Sequence, residues 1–287
     1  MPIDIRYHAI SLLAVFLALA LGILVGFATV DPGEIKRFVE EVKKDNERTR
    51  NENRAELESL RQQQKISLAF ERVLLPLALK ERLQGKRVAI LLDYSPEHDS
   101  PAPSLEKVLE NAGAKVTATV SLLPRLGKLK EKDVERMLVG RGVSAPPEID
   151  PRSFLARRLG QRIAEGGSNL PFYLEKENLI RISQGSEFIR PVHAVVVVGG
   201  SAPEPEFIEM VEEPLLGGIR ETGRRIVGCE LSLDSGAAVE FFQRLDLTTV
   251  DCVDTYPGQV ALVLAVAGED GNFGTKETAE RLLPDLQ

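Results

Sequence analysis

The chain has 287 residues, of which 43% are hydrophobic and 28% are charged, and its formal net charge is −7 at pH 7. This acidic balance argues against a nucleic-acid partner, because no run of basic residues that could bind a phosphate backbone is visible. The two cysteines, Cys229 and Cys252, are too few for a disulfide framework. They could form one bridge or be two separate buried thiols, and we expect the second arrangement.

Residues 9–30, AISLLAVFLALALGILVGFATV, contain no charged side chain and follow a short tail at 1–8. At 1.5 Å per residue this run is about 33 Å long, which matches a hydrocarbon core of about 30 Å. It therefore predicts one membrane-spanning helix. A cleaved signal peptide is the alternative, but its apolar region would normally be about 7 to 15 residues long.

Small residues recur at every fourth position of this run. They are Ala14, Ala18, Gly22 and Gly26. Such a stripe lets two helix backbones approach closely, so it predicts pairing of two copies. The alternative is that small residues are simply frequent in membrane helices.

Residues 34–83 predict a long helical stalk, because no glycine or proline interrupts them before Pro76 and charges of both signs alternate. Spacings of three and four residues predict a coiled-coil seam that includes Val39, Val42, Asn46, Asn53 and Leu60. A two-stranded homodimer is the expectation, and a single helix or partly disordered linker is the alternative. Pro76 is expected to kink or end the stalk.

Residues 85–287 alternate short β-branched runs with helical patterns, which is typical of a mainly parallel sheet covered on both faces. We predict a three-layer, Rossmann-like or flavodoxin-like α/β domain with a helical insertion at 123–191 that forms a subdomain or lid. Strands are predicted at 87–92, 115–122, 192–198, 225–230 and 259–266. Helices are predicted at 104–112, 132–139, 153–164, 204–222, 236–245 and 275–283.

Open parallel sheets bind ligands at the carboxyl ends of their strands. The residues there predict a rim that could hold a hard cation or a polar ligand: Asp93, His98, Gly199, Gly200 and Glu230. The alternative is a set of tight turns, since the first strand lacks a G-x-G-x-x-G and the chain has no G-x-x-x-x-G-K-[ST].

Catalytic motifs are scarce. The three histidines, His8, His98 and His193, are scattered, and there is no G-x-S-x-G elbow. His193 lies inside an apolar run and is expected to be a hydrogen-bonded core residue. We therefore predict no enzyme, no catalytic or metal-ligating residue and no cofactor. An enzyme would need a pocket that joins Asp93 and His98 to Glu230.

Four segments together resemble the MctB family, named for mycobacterial copper-transport proteins of the cell envelope. They are YHAISLLAVFLALALGILVG, GKRVAILLDYSPEHD, LENAGAKVTATVSL and VDTYPGQVALVLAV. The resemblance implies copper efflux or homeostasis and an α/β domain outside the cytoplasm. Copper prefers thiolates, thioethers and grouped imidazoles, yet the few Met, Cys and His residues are not clustered, so copper is implied by the resemblance alone.

A second hypothesis is a non-enzymatic envelope scaffold that binds a partner protein through its stalk and α/β domain, in cell-wall remodelling or division. The long helix and the lack of catalytic motifs favour it. Orientation is also open, because Lys36, Arg37, Lys43 and Lys44 would by the positive-inside rule keep the domain in the cytoplasm. We expect the orientation that the resemblance implies.

Overall fold

The computed structural model describes residues 5–29, 32–93, 100–183, 185–200, 204–235 and 237–284. It divides into two compact units, one up to Ala69 and one from Phe70 onward. Parts of the predicted tail at 1–8 and the predicted rim residue His98 lie outside the described residues.

The helices are α1 (Ile5–Thr29), α2 (Pro32–Leu79), α3 (Ala102–Asn111), α4 (Glu131–Val139), α5 (Pro151–Glu165), α6 (Leu170–Lys176), α7 (Pro205–Phe207), α8 (Glu213–Glu221), α9 (Ala237–Arg244) and α10 (Tyr256–Ala267). A 3₁₀ turn covers Pro124–Leu126, and a π-helical turn, Ile208–Glu212, joins α7 to α8. The strands are β1 (Arg87–Asp93), β2 (Lys115–Leu122), β3 (Ile180–Ile182), β4 (Ala194–Gly199), β5 (Arg225–Cys229), β6 (Thr248–Val250) and β7 (Asn272–Phe273).

Among the residues that the structure describes, no helix combines the length and apolar character that a bilayer crossing requires. The predicted membrane-spanning helix at 9–30 is therefore wrong.

Helix α2 covers residues 34–79 of the stalk predicted at 34–83, and it continues past Pro76 to Leu79. In the first unit it is exposed on every side, from residue 36 to residue 69. A helix that is exposed on every side gains little from packing within its own chain. In the second unit the burial changes, because Leu79 and the following Leu83 are almost fully buried.

The second unit contains a seven-stranded sheet in the order β3-β2-β1-β4-β5-β6-β7. Only β3 is antiparallel to its neighbour, so the α/β class is as predicted and the sheet is mixed. The parallel strands β2, β1, β4, β5 and β6 follow the doubly wound order second, first, third, fourth, fifth. The chain therefore changes direction across the sheet between β1 and β4.

Alternate residues of each central strand point into two separate cores. In β1, Ala89 and Leu91 join α4, α5, α6, α8 and α9 on one face. On the other face, Val88 and Ile90 pack with α3, α10 and Leu83. Burial on both faces explains why these strands read as continuous apolar runs rather than alternating ones.

Residues 123–191 contribute helices that pack on one face of the sheet. Helix α5 packs closely against α8, and a methyl group added at Gly160 would overlap the backbone of Leu215. Leu155, Leu159 and Ile163 of α5 are buried in the same core as the sheet. This segment therefore supplies part of the layer that covers one face of the sheet, together with α8 and α9.

Two predicted elements of the α/β domain are also wrong. The predicted strand at 259–266 is part of α10, whose residues are buried on nearly every side. An apolar run of this length fits a buried strand or a buried helix, and Thr255, which accepts a hydrogen bond from the Gly258 N–H, with Pro257 behind it marks a helix start. The predicted helix at 275–283 is instead an irregular segment with a bridge between Phe273 and Arg281.

Candidate functional site

The carboxyl edge of the sheet encloses a cavity of about 180 Å³. Four of the predicted rim residues line it: Asp93, Gly199, Gly200 and Glu230. They come from the ends of β1, β4 and β5, which meet at this edge because the three strands are parallel. The structure thus brings these four together, while His98 lies outside the described residues.

Gly199 has a packing role at this edge. A Cβ at this position would lie 2.7 Å from the Cβ of Ala238 in α9 and 3.3 Å from the Phe242 ring. The missing side chain therefore lets α9 lie directly over the end of β4. This requirement explains the glycine at position 199 without a phosphate.

Asp93 forms a carboxyl pair with Glu212, the last residue of the π-helical turn. Each side chain is 8% exposed. Burial raises the pKa of Glu212 to about 10, and the hydrogen bond and negative charge of Asp93 act in the same direction. Burial also raises the pKa of Asp93, while its hydrogen bond with Glu212 opposes that rise. The pair therefore favours a proton on Glu212, which donates a hydrogen bond to the Asp93 carboxyl.

Glu230 is completely buried and is compensated by an ion pair with Lys276. Its Oε2 also accepts a hydrogen bond from the Val239 N–H in the first turn of α9, at 3.2 Å. Lys276 Nζ donates further to the carbonyls of Leu231, at 2.8 Å, and Asp234, at 2.7 Å. Glu230 thus ties together the end of β5, the start of α9 and the chain after β7.

Asp251 binds the backbone of the same C-terminal segment. It is fully buried, and its carboxylate accepts the N–H groups of Thr275, at 2.8 Å, and Lys276, at 2.9 Å. The close approach is possible because residue 274 is a glycine with φ of +145°. These contacts place Lys276 where it meets Glu230.

The three buried acids that line the cavity are therefore largely compensated within the fold. Glu212 carries a proton, Glu230 faces Lys276, and Asp93 accepts the Glu212 proton in a hydrogen bond. Chemically the cavity suits a small polar ligand better than a multivalent cation, since carboxylates that ligate a hard cation must be ionised and turned toward it. Among the described residues, no group of three or more His, Cys, Asp or Glu could hold a metal ion.

The cysteines and His193, which are candidate copper ligands, are buried or hydrogen-bonded within the fold. Cys229 and Cys252 are free buried thiols, which is the second of the two expected arrangements. Burial raises the pKa of both thiols, which disfavours the thiolate that copper would bind. His193, just before β4, accepts a hydrogen bond at Nδ1 from the Arg87 N–H at 2.9 Å, as expected for a structural histidine.

Two residues of this edge, Glu212 and Lys276, were missed by sequence reasoning. Glu212 lies within a predicted continuous helix, and nothing in its neighbourhood signals a buried acid. Lys276 lies in a segment predicted to be helical that is irregular. Their roles arise from contacts 119 and 46 residues apart in the chain, Glu212 with Asp93 and Lys276 with Glu230.

The predicted pairing residues lie in the first unit. On α1, a Cβ at Gly22 or Gly26 would meet nothing within 4 Å, and Ala14 and Ala18 are exposed. The seam residues of α2 are exposed as well: Val39 by 44%, Val42 by 41% and Leu60 by 55%, together with Asn46 and Asn53. Pairing of two copies through either stripe stays a prediction.

Comparison with known proteins gives one consistent result. A family model described as "Copper transport outer membrane protein, MctB" matches residues 2–284. Proteins named "Copper transporter MctB" from Mycobacterium bovis and from Mycobacterium tuberculosis, strains CDC 1551 and H37Rv, are each 24% identical to this chain. The alignments cover 95% of this chain and 96% of those proteins.

Proposed function

The chain belongs to the MctB family, and on that premise we propose that it takes part in copper efflux or copper homeostasis in the cell envelope. The observation that carries this proposal is the family match over residues 2–284, which includes both units of the structure. Copper is the cargo in this account. No residue of the chain is assigned as its ligand.

A deletion of the gene in its host tests the role. We expect the deletion strain to accumulate copper and to stop growing at a lower copper concentration, and the full-length chain to restore both. Zinc and nickel serve as control metals. Unchanged copper content and tolerance would contradict the proposal.

A calorimetric copper titration of the purified full-length chain separates direct from indirect action. Stoichiometric binding that weakens in Asp93→Asn would assign copper to the carboxyl edge, with Lys107→Ala, an exposed change on α3, as the control. If no binding occurs while the deletion strain is copper-sensitive, the chain acts through a partner protein.

A second candidate function, the envelope scaffold, is supported by the exposed stalk. Between residues 36 and 69 every residue of α2 is exposed. Apolar and Asn side chains at seam spacing would give a second copy of the chain a surface to pair with, and a paired stalk could present two α/β domains to an envelope protein.

Cysteine cross-linking tests the pairing. In a two-stranded parallel coiled coil, Asn53→Cys faces its counterpart, whereas Asn51→Cys lies on the opposite side of the helix. We expect a disulfide-linked dimer of the first variant only. Equal cross-linking of both, or of neither, would contradict a defined seam.

We also propose, from the description of the family, that the α/β domain lies outside the cytoplasm. Lys128→Cys provides a labelling position, because the Lys128 side chain is 67% exposed. The native thiols are buried and give little background. A membrane-impermeant reagent should label this variant in intact cells, and protection until lysis would contradict the placement.

A further inference from the structure

A second cavity lies at the opposite, amino-terminal edge of the sheet, and its volume is about 590 Å³. Its walls come from the start of β1, the start of β2 and the segment before β4. Four cationic side chains line it: Lys86, Arg87, Lys115 and Arg190. The segments are far apart in the chain, so no basic run in the sequence announces them.

The positive charge of this cavity is mostly uncompensated. Among the described residues, one carboxylate lines the wall, that of Glu187, whose Oε2 lies 3.2 Å from Lys115 Nζ. Arg87 donates through Nε to the carbonyl of Pro191 at 2.7 Å, which fixes the guanidinium group. Lys86 and Arg190 form no side-chain ion pair or hydrogen bond with the part of the chain that the structure describes.

His193, which is hydrogen-bonded to the Arg87 N–H, is also affected by the positive charge of this cavity. The pKa of His193 is lowered, first by burial and then by the charges of Arg87, Lys86 and Arg224. His193 is thus neutral at pH 7. Among the described residues, the buried Nε of Arg224 has no hydrogen-bond partner. In a chain with a net charge of −7, this concentration of positive charge is local to one edge.

We propose that the amino-terminal edge of the sheet binds a phosphate group, held by Lys86, Arg87, Lys115 and Arg190. A fixed guanidinium group presents paired N–H donors that match the oxygens of a phosphate. Nearby ammonium groups attract the phosphate by their charge and do not require one hydrogen-bond geometry. The cavity is larger than one phosphate, so it also admits the organic part of a phosphate ester. The site goes beyond the copper role and does not rest on it.

Two sources of the phosphate group are distinguished by experiment. The full-length chain is titrated calorimetrically with inorganic phosphate and with glycerol 3-phosphate, at constant ionic strength in chloride. In parallel it is mixed with vesicles of phosphatidylglycerol or of phosphatidylcholine and sedimented. Binding of the soluble phosphates indicates a free ligand, and binding only to phosphatidylglycerol vesicles indicates a lipid headgroup.

The test variant is Lys86→Ala/Arg190→Ala, since neither side chain forms an ion pair or hydrogen bond with the described residues. The control is Lys132→Ala/Lys176→Ala, which removes two exposed lysines from α4 and α6 and leaves the cavity intact. We expect the test variant to weaken binding at least about tenfold, because two charge-assisted contacts are lost, and the control to leave it unchanged. No binding of any of these phosphates, or equal loss in both variants, would overturn the proposal.

Discussion

The two edges of the sheet differ in whether their charged side chains are compensated by other groups of the fold. At the carboxyl edge, buried acids are compensated by a proton on Glu212 and by the ammonium group of Lys276. At the amino-terminal edge, four cations of the described chain face one carboxylate, and two of them, Lys86 and Arg190, form no side-chain ion pair or hydrogen bond with the described residues. A buried charge must be compensated within the fold, whereas an open cavity can keep charge for a ligand. The comparison predicts that substitutions at the first edge change stability and substitutions at the second change binding.

The largest expected effect is that of Lys276→Ala. It leaves Glu230, which is 0% exposed, without its cation, and breaking such a buried pair costs about 3–5 kcal/mol of unfolding free energy. Chemical denaturation measures the loss. The matched control is Lys128→Ala, whose partner Glu204 lies 3.9 Å away on the surface, where the cost is at most about 1 kcal/mol. Equal losses in the two variants would mean that Glu230 does not depend on Lys276.

The next effect concerns the close approach of the C-terminal segment to Asp251. Gly274→Ala places a methyl group on the Asp251 carboxylate, and residue 274 has φ of +145°. Gly268 has φ of +147° and open space around it, so Gly268→Ala suffers the backbone strain alone. We expect Gly274→Ala to be less stable than Gly268→Ala by about 1–3 kcal/mol. If the two variants melt together, the segment is free to move away from Asp251.

The carboxyl pair gives a pH-dependent effect. The pKa of Glu212 rises from its ordinary 4.5 to about 10 on folding, so between these values the folded protein holds a proton that the unfolded chain has lost. Stability from this group is complete below pH 4.5 and falls as the pH rises toward 10, by up to about 1.4 kcal/mol per pH unit.

Glu212→Gln keeps a hydrogen-bond donor for Asp93 and removes this titration. We therefore expect the variant to match the natural chain near pH 4.5 and to be more stable at pH 8. Thermal unfolding across this pH range tests the expectation. A variant that follows the natural chain at every pH would show that Glu212 is ionised in the folded state.

The smallest expected effect is at the amino-terminal edge. Glu187→Gln removes the carboxylate that lies 3.2 Å from Lys115 Nζ, and both side chains are more than half exposed. Its effect on stability is expected within about 0.5 kcal/mol. Phosphate should bind about two- to fivefold more tightly, because a nearby negative charge is gone. Weaker binding of phosphate would mean that Glu187 positions Lys115 for the ligand.

The sequence was informative where local pattern decides structure. The apolar runs of β1 and β2 and the polar run of α2 are found at or near their predicted positions. The run at 259–266 was misjudged because burial on all sides removes the periodicity that separates a helix from a strand. The short β6 and β7 carry too few residues to give a pattern.

The candidate site also has a part that sequence predicts and a part that it does not. Alternating strands and helices predict a parallel sheet, and Asp93 and Glu230 follow two of its strands, so both are expected at its carboxyl edge. Their compensation by Glu212 and Lys276 depends on long-range packing that no local pattern encodes. The basic cavity also joins separate segments, so no local pattern predicts an anion site there.

Thermal unfolding of the full-length chain in phosphate and in chloride, at equal ionic strength, tests the contrast between the two edges most directly. Phosphate should raise the melting temperature of the natural chain and of Asp234→Asn, which alters the carboxyl edge, but not that of Lys86→Ala/Arg190→Ala. If phosphate has no effect on the natural chain, or stabilises the amino-edge variant equally, the contrast in charge between the two edges has no part in binding.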